Sequence, residues 1–492
     1  MELKQIIQDL PFKGIKNYQN TQIDNLTNSS TTDTQNALYF CLNGSKVDGH
    51  NFAAQAVENG AKCLVVERFL DLPVPQILVD NSRKAMSAIS AKFYDFDKSN
   101  IKFIGVTGTN GKTTTAFTTR HILQNLGHKV GMIGTEGTYI GDIKIPTTLT
   151  TPDPIKLHKV IHDMDQNGVE YVVMEVSAHA LALNKVDSIT YDVAGITNIT
   201  QDHLDYFKSM ENYARAKAEL FTYKHAKSAI INIDDKYTRA IQRKTEMDTT
   251  SLSLKRPADI MVEGTNLGTS NTQAVINVDG KRYMLNSSLV GEYNLANALM
   301  AVGFCKELGF EMADILQALG KGQIIVPGRL NTIKTPNGNT VVIDYAHTPD
   351  GMQKILGTLS KINQGKLITV FGCGGNRDKG KRCQMGEIAS LMSDYVVITS
   401  DNPRNENPYD IMEDINKGVK GRKYINIENR EQAICYALDR AGKGDIIAIL
   451  GKGNEPYQEI DGVKYPYSDY KVVDDYFAKV TQDENVDEYK PK

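Results

Sequence analysis

Residues 105–115 read GVTGTNGKTTT and follow directly on the apolar run IKFI. A loop that cradles phosphate needs successive backbone N–H groups turned inward, a lysine that reaches the terminal phosphates, and a hydroxyl for a bound magnesium ion. Gly108, Gly111, Lys112 and Thr113 supply those parts, and Thr109, Asn110 and Thr114 complete the loop. The placement suits an anion, because the run leaves an apolar strand and the threonines open a helix whose N-terminal dipole favours negative charge. One irregularity is visible: the strict GxxxxGK[ST] pattern puts its first glycine at 106, where this chain has Val106 with Gly105 beside it. A nucleotide phosphate is the expected ligand, and a turn that is merely rich in glycine is the weaker alternative.

The elements that position this loop can be read from the apolar runs around it. From residue 101, VGMIG, YVVMEV, DVAGITNI and SAIINI alternate with helical segments, the pattern of a largely parallel sheet covered by helices. Around 250–290, shorter alternating runs such as AVINVDG and KRYMLNSSLVG point to added antiparallel strands. Before the loop, ALYFCL, AKCLVV and PQILVD form a small α/β unit that ends at the polar stretch DFDKSN. After Pro327 and Gly328, TVVIDYAH, KLITVFGC, YVVITS and DIIAIL form another. The 492 residues are thus expected to make three α/β domains, at 1–100, 101–327 and 328–492, with a mostly parallel central sheet.

Bulk composition excludes more than it assigns. A net charge of -3 with 23% charged residues carries no basic excess for nucleic acid or an anionic membrane, and no run approaches the ~18 apolar residues of a membrane span. A cytoplasmic protein without nucleic-acid or membrane partners is expected. The six cysteines are scattered without a CxxC pair, so reduced thiols are expected rather than a disulfide framework or a zinc site.

The form TGTNGKTTT resembles the Mur ligase family, ATP-dependent enzymes that add amino acids to the peptide of bacterial cell-wall precursors. TTPD at 150–153, MEVSAHAL at 174–181, TNITQDHLDYF at 197–207, YARAKAELF at 213–221, GEYNLANALMA at 291–301, PGRLN at 327–331 and DYAHTPDG at 344–351 are similar to that family's motifs in its usual order. The resemblance spans nearly the whole chain. It implies an N-terminal domain for the UDP-sugar end of the substrate, a central P-loop ATPase, and a C-terminal Rossmann-like domain that closes over the site, in an enzyme acting as a monomer on small-molecule substrates.

The implied chemistry converts a carboxylate into an acyl phosphate with the γ-phosphate of ATP, and an amine then expels phosphate. Both transfers need concentrated positive charge at the phosphoryl oxygens. By resemblance Lys112 bridges the phosphates, while Thr113, Glu175, His203 and a carbamylated Lys217 serve magnesium. Standing alone, Glu175 would read as a helix cap, His203 as a core histidine and Lys217 as a solvated lysine on an amphipathic helix. Carbamylation requires a neutral amine, hence a desolvated or cation-flanked lysine. Asn294 resembles the adenine-side contact, and Arg329, Asp344 and His347 the residues that meet the nucleotide on closure. For the UDP-muramyl-dipeptide the resemblance implies Ser30, Thr150, Thr151, Ser177, Lys185 and Lys217.

Within the family, GCGGNRDKGKR at 372–382, DNPR at 401–404 and GKGNE at 451–455 resemble the members that add meso-diaminopimelate as the third residue. That ligand differs from L-lysine, the alternative amine, by a carboxylate on its far end, which an arginine fork satisfies with two parallel hydrogen bonds. The implied pocket is Arg404 with Asp401 and Asn402, completed by Arg377, Gly451 and Glu455; DNPR also reads as a turn. The chain departs from the family pattern at Asn454, usually His, at Lys185, commonly Arg, at Ala178, a second Ser, and at Thr31, an Arg. Two further readings are folylpolyglutamate synthase, which lacks the UDP-sugar domain and the DNPR pocket, and a non-catalytic ATP-binding regulator, in which loss of Lys112, Glu175 or Lys217 would be expected.

Overall fold

The computed structural model describes residues 1–44, 47–147, 149–268, 271–421 and 423–487. In the central sheet the strand Lys102–Thr107 lies between Tyr171–Glu175 and Tyr191–Ile196, parallel to both, with Ile104 opposite Val173 and Val193. Val130–Gly134 continues the parallel ladder on one side, and Ala226–Asn232 and Thr249–Ser253 continue it on the other. Ile260–Leu267 pairs parallel with Thr249–Ser253, and antiparallel strands then extend both edges: Gly137–Ile140 and Ile143–Ile145 at one, and Thr272–Val278 and Lys281–Ser287 at the other. The latter are the strands expected from the alternating runs at 250–290.

The inner strands are buried on both faces, which is why they read as near-continuous apolar runs. Ile104 and Val106 pack with Phe117, Leu123, Leu295 and Leu299 of the helices Lys112–Asn125 and Glu292–Glu307. Phe103, on the other face, packs with Leu157 and Ile161 of Pro154–Gln166. The irregular glycine spacing has its cause here. Val106 is a fully buried strand residue, and a Cβ on Gly105 would stand 2.8 Å from the Tyr191 ring. Gly105 therefore serves strand packing, and the loop glycines begin at Gly108.

A six-stranded sheet follows, with Thr340–Asp344, Ile446–Leu450, Leu367–Phe371, Tyr395–Ile398 and Tyr424–Asn426 parallel and Asn331–Lys334 antiparallel at one edge. Behind it the Arg430 guanidinium meets both Asp469 carboxylate oxygens at 2.8 Å and donates to Leu450 O at 3.1 Å. The N-terminal sheet has five strands from Gly14–Lys16 to Gln76–Leu78, parallel except at Gly14–Lys16. Its helix Ser82–Phe93 packs toward the central domain, where Ser188 N donates to Ser87 Oγ at 3.1 Å. Among the described residues no helix is long and apolar enough to cross a membrane.

Candidate active site

In both larger sheets the parallel strands deliver the chemistry-bearing residues at their carboxyl ends, where an α/β sheet opens its crevices. After Thr107 the chain turns through Gly108 and Gly111, at φ +141° and +91°. A Cβ on Gly108 would collide with Thr197 Oγ1 and one on Gly111 with Asn297 Oδ1, so both positions exclude a side chain by space as well as by backbone angle. Asn198 holds the loop, accepting from Thr109 N on its carbonyl at 2.9 Å and from Asn110 N on Oδ1 at 3.0 Å. Lys112 opens the following helix and folds back, its Nζ donating to Gly108 O at 2.9 Å and Thr109 O at 2.8 Å.

Glu175 ends its strand fully buried. It accepts from Thr113 Oγ1 and Thr135 Oγ1 at 3.1 Å each and from Thr135 N at 2.9 Å. Gly134 is required beside it, since a Cβ there would strike Glu175 Oε1. Glu175 has no ion-pair partner among the described residues, and a buried carboxylate without a cation is costly. Its oxygens with Thr113 Oγ1 form a hard-oxygen donor set that suits magnesium.

A cleft of about 750 Å³ opens over this loop, a size that holds a nucleotide. Thr109, Asn110, Gly111, Lys112, Thr113, Thr114 and Glu175 line it from the central domain, as does Asn294, whose Nδ2 donates to Val290 O at 2.9 Å. Arg329, Asp344 and His347 line it from the opposite side. The two sides touch: Arg329 Nη2 donates to Thr113 Oγ1 at 3.1 Å, and Asn110 Nδ2 donates to Asp350 Oδ2 at 2.8 Å. Burial pushes the Asp344 carboxyl up, although Arg329 and the amides of Leu330 and Ala346 pull the other way.

Lys217, on the helix Met210–Ala218, is only 1% exposed, so the solvated-lysine alternative fails. Its Nζ donates to Gly108 O at 2.8 Å, the carbonyl that Lys112 also uses, and lies 4.7 Å from the Tyr213 ring centroid. Burial pushes its amine well below the ordinary lysine value, Lys112 pushes it further, and Asp202 opposes them. The shift favours the neutral amine, the form that captures carbon dioxide, so the residue fits a carbamate. His203 packs its ring 4.9 Å from His179 and lies 3.4 Å from Asp202, with no direct bond to Thr113, Glu175 or Lys217 among the described residues. Burial pushes it down to about 3, so it is a neutral imidazole near pH 7.

Thr150, Thr151 and Ser177 gather beside Glu175. Thr150 Oγ1 meets Thr135 Oγ1 at 3.1 Å, Thr151 Oγ1 donates to Glu175 O at 2.9 Å, and Ser177 N donates to Thr151 Oγ1 at 3.2 Å. Lys185 pairs with Asp153 at 2.8 Å. Ser30 lies apart in the bend after the N-terminal strand Asn25–Thr27, its Oγ donating to Gln55 Oε1 at 2.8 Å, and Thr31 is exposed beside it.

The DNPR segment is irregular backbone, as a turn requires, and Arg404 takes φ +51°. Arg404 Nε donates to Glu459 Oε2 at 3.1 Å and Nη1 to Gly375 O at 2.9 Å. Asn402 Nδ2 donates to Glu455 Oε2 at 2.9 Å, and the fully buried Lys452 donates to both Asn402 Oδ1 and Glu455 Oε2. Gly451 has φ +112°, and a Cβ there would stand 2.8 Å from Asp401 Oδ2. Arg377 reaches the same group, since a Cβ on Gly374 would meet Arg404 Nη1 at 2.9 Å and Arg377 Cγ at 3.7 Å. These residues form one hydrogen-bonded cluster at the ends of three adjacent strands, outside the nucleotide cleft but beside Asp344, whose carbonyl accepts from Gly451 N at 3.1 Å.

Several participants escaped sequence reasoning. Asp202, nine-tenths buried, meets Lys381 at 3.4 Å and His347 at 3.6 Å across the two domains. Burial pushes Asp202 up, but Lys381, His347 and His203 outweigh it and hold the carboxylate well below its usual range. Asp202 stands next to His203 in QDH, yet its partners in the C-terminal domain are 145 residues or more away and carry no local signal. Glu136 escaped for the same reason, its partner Asn454 lying 318 residues away.

The family model described as Mur ligase middle domain matches residues 106–305, the Mur ligase glutamate ligase domain matches 328–453, and the Mur ligase family catalytic domain matches 22–94. The chain is 41% identical over 485 residues to UDP-N-acetylmuramoyl-L-alanyl-D-glutamate–2,6-diaminopimelate ligase 1 of Clostridium acetobutylicum, covering 98% of this chain and 100% of that protein. The chain belongs to the Mur ligase family. Among solved structures, a UDP-N-acetylmuramoyl-L-alanyl-D-glutamate–2,6-diaminopimelate ligase superposes on this Mur ligase with a TM-score of 0.66 at 29% identity, over 93% of this chain and 95% of that one. A MurF ligase from Thermotoga maritima in complex with ADP has a TM-score of 0.64 at 20% identity over 94% and 98%, which shows the shared fold.

Proposed function

We propose that this Mur ligase uses ATP to join meso-diaminopimelate to UDP-N-acetylmuramoyl-L-alanyl-D-glutamate through an acyl phosphate, in cytoplasmic peptidoglycan precursor synthesis. What carries this reading is that Lys112, Thr113, Glu175 and Arg329 meet on one nucleotide-sized cleft while the Arg404 cluster sits on neighbouring strand ends. The names of the full-length relatives support the same reading.

In this reading Lys112 and Arg329 carry the positive charge that stabilises the phosphoryl group in flight, and the loop amides of 108–113 cradle the phosphates. Magnesium, bound by Thr113 and Glu175, would neutralise phosphate charge. Lys217 as its carbamate would turn an amine beside Lys112 into an anion, relieving the crowding of two amines on the Gly108 carbonyl. Thr150, Thr151, Ser177 and Lys185 would place the acceptor carboxylate, with Ser30 on the uridine. Asn294, Asp344 and His347 would enclose the nucleotide, and closure would keep water from the acyl phosphate.

Arg404 would receive the far carboxylate of diaminopimelate, flanked by Arg377, Asp401, Asn402, Gly451 and Glu455. The division of labour assigns 1–100 to the UDP-sugar, 101–327 to ATP and 328–492 to the amino acid, in a monomer that light scattering would check. The functional test is phosphate release with ATP, magnesium and the UDP-muramyl-dipeptide, comparing meso-diaminopimelate with L-lysine. Release that depends on diaminopimelate supports the reading; equal release with lysine refutes the role of Arg404, and none with either refutes the ligase assignment.

A further inference from the structure

The segment GKGNE does more than border the amino-acid pocket. Asn454 Nδ2 donates to Glu136 Oε2 at 2.9 Å, a bond from the C-terminal sheet's loops to the loop that follows Val130–Gly134 in the central sheet. The Glu136 side chain is 7% exposed, and its other oxygen stands 4.0 Å from Arg329 Nη1. Arg329 in turn reaches Thr113 Oγ1 with Nη2 and lies 4.4 Å over the Tyr345 ring.

The two loops that bring these groups together are pressed into contact. A Cβ on Gly328 would stand 2.5 Å from Asn454 N, and one on Gly453 would stand 2.9 Å from Gly328 O. Asn454 therefore cannot shift without moving the loop that carries Arg329. The residue after Asn454 is Glu455, which is bonded to Asn402 and Lys452 inside the pocket. A single residue step thus separates the amino-acid pocket from the chain Glu136, Arg329, Thr113.

We propose that Asn454 and Glu136 are positioning residues for phosphoryl transfer: their bond forms as the C-terminal domain closes, and it holds Arg329 against Thr113 in register with the amino-acid pocket. This rests on the ligase reading above. A nearly buried carboxylate is stable here because an amide donor and a guanidinium both face it, and both come from the C-terminal side. Separation of the domains removes both partners at once, so the pair favours the closed arrangement. An asparagine supplies the donor without depending on its protonation state.

Steady-state kinetics and ADP titration calorimetry on the full-length enzyme test the proposal with Asn454→Asp, Asn454→His, Glu136→Gln and the double variant Asn454→Asp/Glu136→Gln. Asn454→Asp sets two carboxylates against each other, and a lost hydrogen bond to a charged group should lower kcat about tenfold or more and weaken ADP to a similar degree. The KM for the UDP-muramyl-dipeptide should stay within about twofold, since that ligand lies on other elements; a general structural defect would move it too. Asn454→His keeps an N–H donor and should retain activity, and the double variant restores a donor–acceptor pair and should recover to within about threefold of the parent.

Unchanged kcat and ADP affinity in Asn454→Asp, or a double variant whose loss is the product of the two single losses, overturns the proposal. If Asn454→Asp does not fold, Asn454→Leu removes the donor without adding charge and carries the same expectation. ADP binding needs no amine, so a wild-type enzyme inactive with diaminopimelate would overturn the ligase reading while the calorimetry still decides on the pair.

Discussion

Arg404→Ala separates the two candidate amines. In the structure the guanidinium spends Nε on Glu459 at 3.1 Å and Nη1 on Gly375 O at 2.9 Å, which orients the fork and leaves the Nη2 edge for an incoming carboxylate. Removing one partner of a buried charged pair costs ~3–5 kcal/mol; with the Arg404 side chain 17% exposed, ~2–4 kcal/mol is the better range. At about 1.4 kcal/mol per tenfold, kcat/KM for meso-diaminopimelate should fall roughly 30- to 700-fold. L-lysine lacks the far carboxylate and should lose much less, so the ratio of the two specificity constants is the readout. Arg404→Lys keeps the charge but not the fork and should fall between the parent and the alanine variant. Phosphate release measured over a range of each amine, at saturating ATP and UDP-muramyl-dipeptide, gives both constants. A ratio that moves less than about threefold, or a loss equal for both amines, would refute the assignment of Arg404 to the distal carboxylate.

The unmodified Lys217 amine is held below its ordinary value, so the unfolded chain binds the proton more readily and stability should rise with pH up to about 10.4. In bicarbonate-free buffer Lys217→Met should therefore melt above the parent near neutral pH with a gap that closes toward pH 10, and adding bicarbonate should raise both activity and melting temperature in the parent alone. His158 is buried with no hydrogen-bond partner on either ring nitrogen and is pushed down to about 4 by burial. It stays neutral in the fold, so stability should fall as pH drops from about 6.5 to 4, by up to ~3 kcal/mol; His158→Leu should flatten that limb of a urea-denaturation series. Asp469→Ala strands the buried Arg430 guanidinium and should cost ~3–5 kcal/mol in urea unfolding of the C-terminal domain, with no change expected if the pair were solvent-screened.

Local signals carried the architecture well. The apolar runs from IKFI to DIIAIL are strands because sheets buried on both faces need unbroken β-forming residues, and the antiparallel extension at 272–287 showed in its alternation. The loop could be read because its glycines, lysine and threonines are contiguous. Position 105 misled for a tertiary reason, since only the fold reveals that Tyr191 packs on that glycine. Lys217 was undecidable from its helix, because its burial comes from Gly108 and Tyr213, and the Gly108 contact spans 109 residues. Asp202 with Lys381, and Glu136 with Asn454, meet only when two domains fold against each other, at separations of 179 and 318 residues. Residue patterns specify each sheet end, but not which end faces which.

The acyl phosphate is the step that isotope labelling tests most directly. With the acceptor carboxylate of the UDP-muramyl-dipeptide labelled with oxygen-18, turnover with ATP and meso-diaminopimelate should place one labelled oxygen in the released phosphate, because the carboxylate oxygen that attacks the γ-phosphorus leaves with it. Unlabelled phosphate released at the same rate as amide product would contradict the mechanism assigned to the cleft.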